Sequence, residues 1–352
     1  MSIHPAFPGR NRLIAPDARS SLRAVTTMAP LRVSFAGGGT DIASHYSQHG
    51  GAVVSATVDQ YVYVTVKRHS PLFGENYRLN YSKTEHVTSV DEIENDIMRE
   101  CLRLIEIEPP LLISTAADLP ASSGLGSSSS FAVGLLYALH VLKGEEVSAG
   151  QLAEEACHIE IDVLKRPIGK QDQYAAAFGG LNHITFEREG RVQIDPLWVP
   201  NDGIAEFFRT SMLFWTGQQR DAASVLVNQV KQMARSVADY ARMQEMAVTC
   251  RDHFLSGVQD FEHVAELLNQ GWRIKRGLAQ GISNEGIDRW YDVAIAAGAL
   301  GGKVLGAGGG GFLFLLVPPD RQPALRAALS DLVDVPINYE PRGARILSVV
   351  AD

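Results

Sequence analysis

The chain has 352 residues, a formal net charge of −8, 45% hydrophobic and 20% charged side chains. That length and core content suit a two-domain enzyme, and the acidic balance argues against nucleic acid or an anionic membrane as a general partner. No 18-residue apolar run occurs, so no membrane-spanning helix is expected; the dispersed cysteines Cys101, Cys157 and Cys250 form no C-x-x-C pair, which fits a reducing, cytoplasmic compartment and speaks against a zinc site.

Residues 1–22 are rich in Arg, Pro and Ser and lack an apolar stretch of signal-peptide type, so they read as a mobile tail. Ala29–Phe35 predicts a strand that runs into Gly37-Gly38-Gly39. Alternation over 52–58 and 61–66, on either side of Asp59-Gln60, predicts a hairpin. Helical spacing over 91–107 stops at Pro109-Pro110, and 111–116 predicts a strand. Ser148 caps a helix that the pattern carries to about Val163. Residues 181–194 predict a second hairpin. Pro200 and Asp202-Gly203 mark a boundary between a domain over 23–200 and one over 201–352. The second half offers a strand at 213–215, a long helical region from Asp221, a glycine-rich loop over 301–311, a strand at 312–317, a helix at 323–332 and a last strand at 345–350. The whole predicts an α+β protein with a cleft between two layers.

The segment Pro120–Ser130 holds two glycines and six serines in eleven residues. Behind it, 131–142 is apolar nearly all round and predicts a buried helix. A Gly-Leu-Gly turn opening such a helix directs backbone N–H groups outward at the positive end of its dipole, which suits a phosphate. A flexible linker would not be followed at once by a core helix. The segment is neither a P-loop nor a dinucleotide fingerprint, whose third glycine is replaced by Ser129.

Three other constellations carry chemistry. In Ala29–Asp41, three glycines allow close backbone approach and Asp41 can accept from sugar hydroxyls. Glu160 and Asp172 could supply the metal ligand and the hydroxyl-orienting carboxylate that phosphoryl transfer needs; taken alone they read more readily as solvated carboxylates. The run Gly301–Gly311 has seven glycines in eleven residues. His45 and His49, four apart, lack the glutamate of an H-E-x-x-H metal motif.

Together the P-x-x-x-G-L-G-S-S loop, the earlier P-x-R…G-G-G-T-D run, the G-x-x-D-Q segment and the late G-x-G-x-G-G run resemble, in order, the motifs of the GHMP kinases. The resemblance implies an N-terminal domain like domain 2 of ribosomal protein S5 and a ferredoxin-like C-terminal domain. It implies ATP with Mg²⁺, the phosphates lying on Ser123, Gly124, Leu125, Gly126, Ser127, Ser128 and Ser129, and the metal on Ser127 or Ser128 with Glu160. Asp172 becomes the catalytic residue. Gly38, Gly39, Thr40, Asp41, Gln171, Gly309 and Gly310 become sugar contacts, and Arg32, Arg220 and Lys275 the candidates for an anionic sugar. The G-G-G-T-D form is that of heptose-phosphate kinases and related fucokinase domains. It implies phosphorylation of the anomeric hydroxyl of a heptose 7-phosphate, with an unphosphorylated sugar such as fucose, or a non-catalytic ligand-binding member, as alternatives. The expected partner is a sugar phosphate, without nucleic acid or membrane; a homo-oligomer is compatible with the sequence.

Overall fold

The structure, a computed structural model, describes residues 22–199, 202–218, 222–257 and 261–351. Residues 1–21 of the expected N-terminal tail and Arg220 lie outside them, and Leu22, expected as the tail's last residue, opens the first strand. In chain order the first half runs β1 (Leu22–Ala36), α1 (Ala43–His49), β2 (Gly51–Arg68), β3 (Tyr77–Asn80), β4 (Thr84–Val87), α2 (Asp96–Ile105), β5 (Leu111–Ala117), α3 (Ser127–Lys143), α4 (Ala149–Cys157), α5 (Gln171–Phe178), β6 (Leu181–Phe186) and β7 (Val192–Pro196). The second half runs α6 (Gly203–Thr210), β8 (Ser211–Trp215), α7 (Ala222–Gln232), α8 (Val237–Ser256), α9 (Phe261–Leu278), α10 (Glu285–Ala296), β9 (Gly301–Val304), β10 (Phe312–Leu316), α11 (Gln322–Ala328), β11 (Val333–Val335) and β12 (Arg345–Ala351).

The first sheet has the order β12-β1-β2-β5-β3-β4, with β6 and β7 continuing from β2; the second has the order β11-β8-β10-β9. The last strand therefore returns to the first sheet, antiparallel to β1.

The hairpin expected around Asp59-Gln60 does not form. Residues 51–68 make one long strand, and its register against β1 jumps from Pro30↔Tyr61 to Leu31↔Val58. Asp59 and Gln60 are thus the extra residues of a bulge. On its other edge β2 changes partner at the same point, pairing with β6 before the bulge and β5 after it. A two-residue hairpin needs positive φ in its turn, and neither residue adopts it. The bulge is pinned instead by Asn338, whose backbone N–H donates to Asp59 Oδ1 at 2.6 Å.

Other boundaries shift for local reasons. The helix expected over 91–107 is α2 alone, because Asn95 accepts from Met98 N and starts it there. Ser148 caps α4 as expected, accepting from Gln151 N, but regular α-helix ends at Cys157 and passes into a wider π-turn over His158–Val163. The glycine run expected as a loop from Gly301 spends its first four residues on β9.

Helix α3 packs on β1 and β2 with Ala132, Val133, Leu135, Leu136 and Leu139 fully buried, each large side chain contributing about 1.5–3 kcal/mol. A cluster of aromatic rings joins the two sheets. Phe35 of β1 meets Phe207 edge-on at 5.1 Å and Phe314 of β10 at 5.8 Å, and Phe207 meets Phe254 at 5.3 Å. This apolar joint holds β1 and β10 together and leaves a polar cleft beside it. No helix among the described residues is long and apolar enough to cross a membrane, and the three cysteines are buried and unbridged.

Candidate active site

The cleft is a cavity of about 450 Å³ walled by Arg32 and Ser34 of β1, the Gly38–Ile42 turn, the 122–128 loop, residues 166–172 and, from the second half, Gln229, Lys275, Lys303, Gly306 and Ala307. Helix α3 opens onto it. Gly126 is its N-cap at φ +79°, and no side chain caps it. The first helical bond is Ser130 N to Gly126 O, so the N–H groups of the first turn are left for a ligand. Such an end attracts an anion through those groups and the helix dipole.

The loop is braced from both halves of the chain. Arg32 N donates to Leu125 O at 3.1 Å, and Arg32 Nη1 to Gly124 O at 2.6 Å. Against its other side lies the 305–311 turn. A Cβ on Gly124 would stand 2.6 Å from the Leu305 carbonyl oxygen, and one on Gly306 would stand 2.4 Å from the Gly124 Cα. The two glycine-rich segments therefore meet backbone to backbone, which side chains would forbid.

Asp172 sits in the first turn of α5. Arg32 grips its carboxylate with Nε to Oδ1 at 2.7 Å and Nη2 to Oδ2 at 2.9 Å. Asp41 lies close by and is buried; its carboxylate accepts from Gly39 N at 2.8 Å, Gln171 N at 3.3 Å and Gln171 Nε2 at 3.1 Å. Burial, and then the charge of Asp172, push the Asp41 carboxyl above the usual range, while the backbone bonds, from Gly39 and Gln171 first, oppose them. Asp41 is thus a hinge pin between the G-G-G-T-D turn and α5 as well as a wall of the cavity.

Glu160 is fully buried on the π-turn. It accepts from Ser128 Oγ (2.8 Å), Ser129 Oγ (2.7 Å), Gln173 Nε2 (2.7 Å) and Arg166 Nη1 (3.2 Å). Burial raises its pKa, and the serine bonds and Arg166 oppose the rise. Ser128 lines the cavity. Because its proton points at Glu160, its lone pairs remain for a cation. This donor set suits a hard divalent ion. A direct bond from Glu160 would require Ser128 or Arg166 to yield its place.

Lys275 of α9 and Lys303 of β9 form the wall contributed by the second half. Lys275 Nζ donates to Gly306 O. Burial, and then Arg32, bring its pKa down to about 8; burial, then Lys275 and Arg32, push Lys303 well below the ordinary lysine value. Lys303, Arg166, Ser34 and Gln229 are wall residues that the sequence reading did not single out. Alternation along β1 from Arg32 could have found Ser34. Lys303 carries no comparable signal, since it stands inside a strand of a glycine run.

Several side chains of the expected site are engaged elsewhere. Ser123, Leu125 and Ser129 are buried, and the Ser129 hydroxyl is committed to Glu160, while its backbone N–H belongs to the open first turn of α3. Thr40 Oγ1 is spent on the Gly37 and Ala52 carbonyls. Gly309 N bonds to Ile282 O and Gly310 packs on the Gln218 carbonyl; it is Gly306 and Ala307 of that turn that reach the cavity. The His45 and His49 rings stand 5.1 Å apart, and no group of three or more His, Cys, Asp or Glu among the described residues could hold a metal.

Residues 88–180 match the model of the GHMP kinases N-terminal domain and 252–334 that of the GHMP kinases C-terminal domain. Among curated proteins, the chain is 31% identical over 321 residues to a D-glycero-alpha-D-manno-heptose 7-phosphate kinase of Campylobacter jejuni, covering 88% of this chain and 94% of that one. It is 24% identical over 344 residues to a galactokinase of Pyrococcus furiosus, covering 87% and 92%. Among solved structures, a D-glycero-D-manno-heptose 1-phosphate kinase from Bacteroides thetaiotaomicron superposes with a TM-score of 0.75 at 27% identity, over 92% of this chain and 99% of that chain. Both domain models fall in their proper order around the cleft just described, and a relative above 30% identity runs almost from end to end: the chain belongs to the GHMP kinases and is a sugar kinase of that family.

Proposed function

We propose that this kinase phosphorylates the anomeric C1 hydroxyl of D-glycero-D-manno-heptose 7-phosphate, giving the 1,7-bisphosphate for activated-heptose and surface-polysaccharide synthesis in the cytoplasm. The observation that carries the reading is the near-complete overlap with the Campylobacter heptose 7-phosphate kinase. A cavity walled by Arg32, Arg166, Lys275 and Lys303 in an otherwise acidic chain supports it.

In this reading the free amides at the start of α3 receive the ATP phosphates. Ser127 or Ser128, backed by Glu160, holds Mg²⁺, which supplies charge neutralisation at the transferring group. Asp172, its plane set by Arg32, faces the C1 hydroxyl, orients it and takes its proton. An anomeric hydroxyl is more acidic than an ordinary alcohol, so orientation carries much of the effect. Gly38, Gly39 and Asp41 shape the sugar side of the cavity. Residues 23–200 act as the ATP-binding domain and 201–352 as the second, with β12 returned to the first sheet.

The test is ADP release with heptose 7-phosphate, free heptose, mannose and fucose at matched concentrations. Heptose 7-phosphate is expected to give the highest kcat/KM. A higher value for fucose or mannose removes the heptose assignment and leaves the family.

A further inference from the structure

Of the cations facing the cavity, three are already engaged. Arg32 is bound to Asp172, Arg166 to Glu160 and Asp96, and Lys275 to the Gly306 carbonyl. Lys303 is different. It lines the cavity with 8% of its surface exposed, and its ammonium has no hydrogen-bond or carboxylate partner among the described residues. The Ser34 hydroxyl, two residues along β1 from Arg32, also lines the cavity, is buried and has no partner among the described residues.

A buried ammonium without a counter-charge is costly, and here a second ammonium, Lys275, repels it. Asp41 is the carboxylate on this side, and it is occupied by Gly39 and Gln171. A bound dianion would relieve both lysines at once. The nucleotide phosphates have donors of their own in the uncapped amides at the start of α3 and in Ser128, which leaves Lys303 and Ser34 for a second anion.

Resting on the heptose 7-phosphate reading, we propose that Lys303 is the anchor for the phosphate already carried by the sugar, with the Ser34 hydroxyl as a second donor and Lys275 raising the local potential. The contact is a charge-assisted hydrogen bond in a largely dry wall. It acts on recognition of the substrate and not on the transfer step, so Lys303 sets specificity for phosphorylated over free sugar.

The full-length protein is assayed as wild type, Lys303→Met and Ser34→Ala, with heptose 7-phosphate and free heptose as acceptors and with ATP titrated separately. Lys303→Met is expected to raise KM for heptose 7-phosphate about 10- to 100-fold, the span of one charge-assisted bond. Its kcat, its KM for ATP and its turnover of free heptose should stay within about threefold, the margin of ordinary mutational noise. Ser34→Ala is expected to raise the same KM several-fold. Because the ammonium lacks a partner in the free protein, Lys303→Met without ligand should melt no lower than wild type. An unchanged heptose 7-phosphate KM, a rise in the ATP KM instead, an equal loss on free heptose, or a variant that melts lower or fails to fold would each overturn the assignment. Wild type that does not distinguish heptose 7-phosphate from free heptose refutes the substrate reading itself. Wild type that does distinguish them, with Lys303→Met distinguishing them equally, refutes only the role of Lys303.

Discussion

Arg32 and Asp172, 140 residues apart in sequence, are joined by two parallel N–H···O bonds at 2.7 and 2.9 Å. The fork of a guanidinium fixes the plane of a carboxylate as a single bond cannot. The same arginine also holds the Gly124 carbonyl at 2.6 Å. One side chain thus sets the distance between the carboxylate that we propose for the acceptor hydroxyl and the loop that suits the donor phosphates.

Asp172→Asn should leave the fold and ATP binding in place and lower kcat by about 10²-fold or more, the range for losing an orienting base. Steady-state ADP release beside a circular dichroism spectrum checks it. Turnover within a few-fold of wild type would take Asp172 out of the chemistry.

Gly126→Val should abolish ATP binding. The residue stands at φ +79°, and a Cβ there would come within 3.2 Å of the Asp172 carboxyl group. A β-branched side chain is excluded by the backbone conformation and would crowd the Asp172 carboxylate. Calorimetric titration of a folded variant that still binds ATP with wild-type affinity would count against the loop as the nucleotide site.

Glu160→Ala should destabilise the protein by about 3–5 kcal/mol, the summed cost of leaving several buried donors without their acceptor at about 1–3 kcal/mol each. Ser128, Ser129 and Gln173 lose this acceptor, and Arg166 is left with Asp96 alone. Urea unfolding measures it, and a change below about 1 kcal/mol, the scale of a surface pair, would show that the cluster is slack.

Lys275 makes a pH prediction. Burial, and then Arg32, bring its pKa from 10.5 down to about 8. Between those values the unfolded chain keeps a proton that the folded chain has released, so raising the pH favours the folded state. The cost of the buried charge is fully present below pH 8 and fades toward 10.5. At about 1.36 kcal/mol per unit this amounts to on the order of 3 kcal/mol. Wild type should therefore gain stability relative to Lys275→Met as pH rises through that window. A constant difference between their unfolding free energies from pH 7 to 10.5 would contradict the shift.

The local features were legible in the chain because they depend on near neighbours. The Gly-Leu-Gly turn and the apolar run behind it specify a loop opening a buried helix, and α3 begins at Ser127 as that pattern requires. The Ser148 cap and the order of the glycine-rich runs belong to the same class. Tertiary structure decided whatever depends on a partner far along the chain. The 51–68 strand stays unbroken because β1 pairs along both of its halves while β6 and β5 share its other edge, and alternation alone reads identically for one strand or two. Thr40, Ser129 and Gly309 look like site residues in sequence, yet folding spends them on Gly37 and Ala52, on Glu160 and on Ile282. Lys303 looks like nothing in sequence. It becomes a cavity wall because β9 pairs with β10, and β10 is held against β1 by Phe35 and Phe314. A charge acquires its meaning from what shares its low-dielectric surroundings, and only the packed chain determines that.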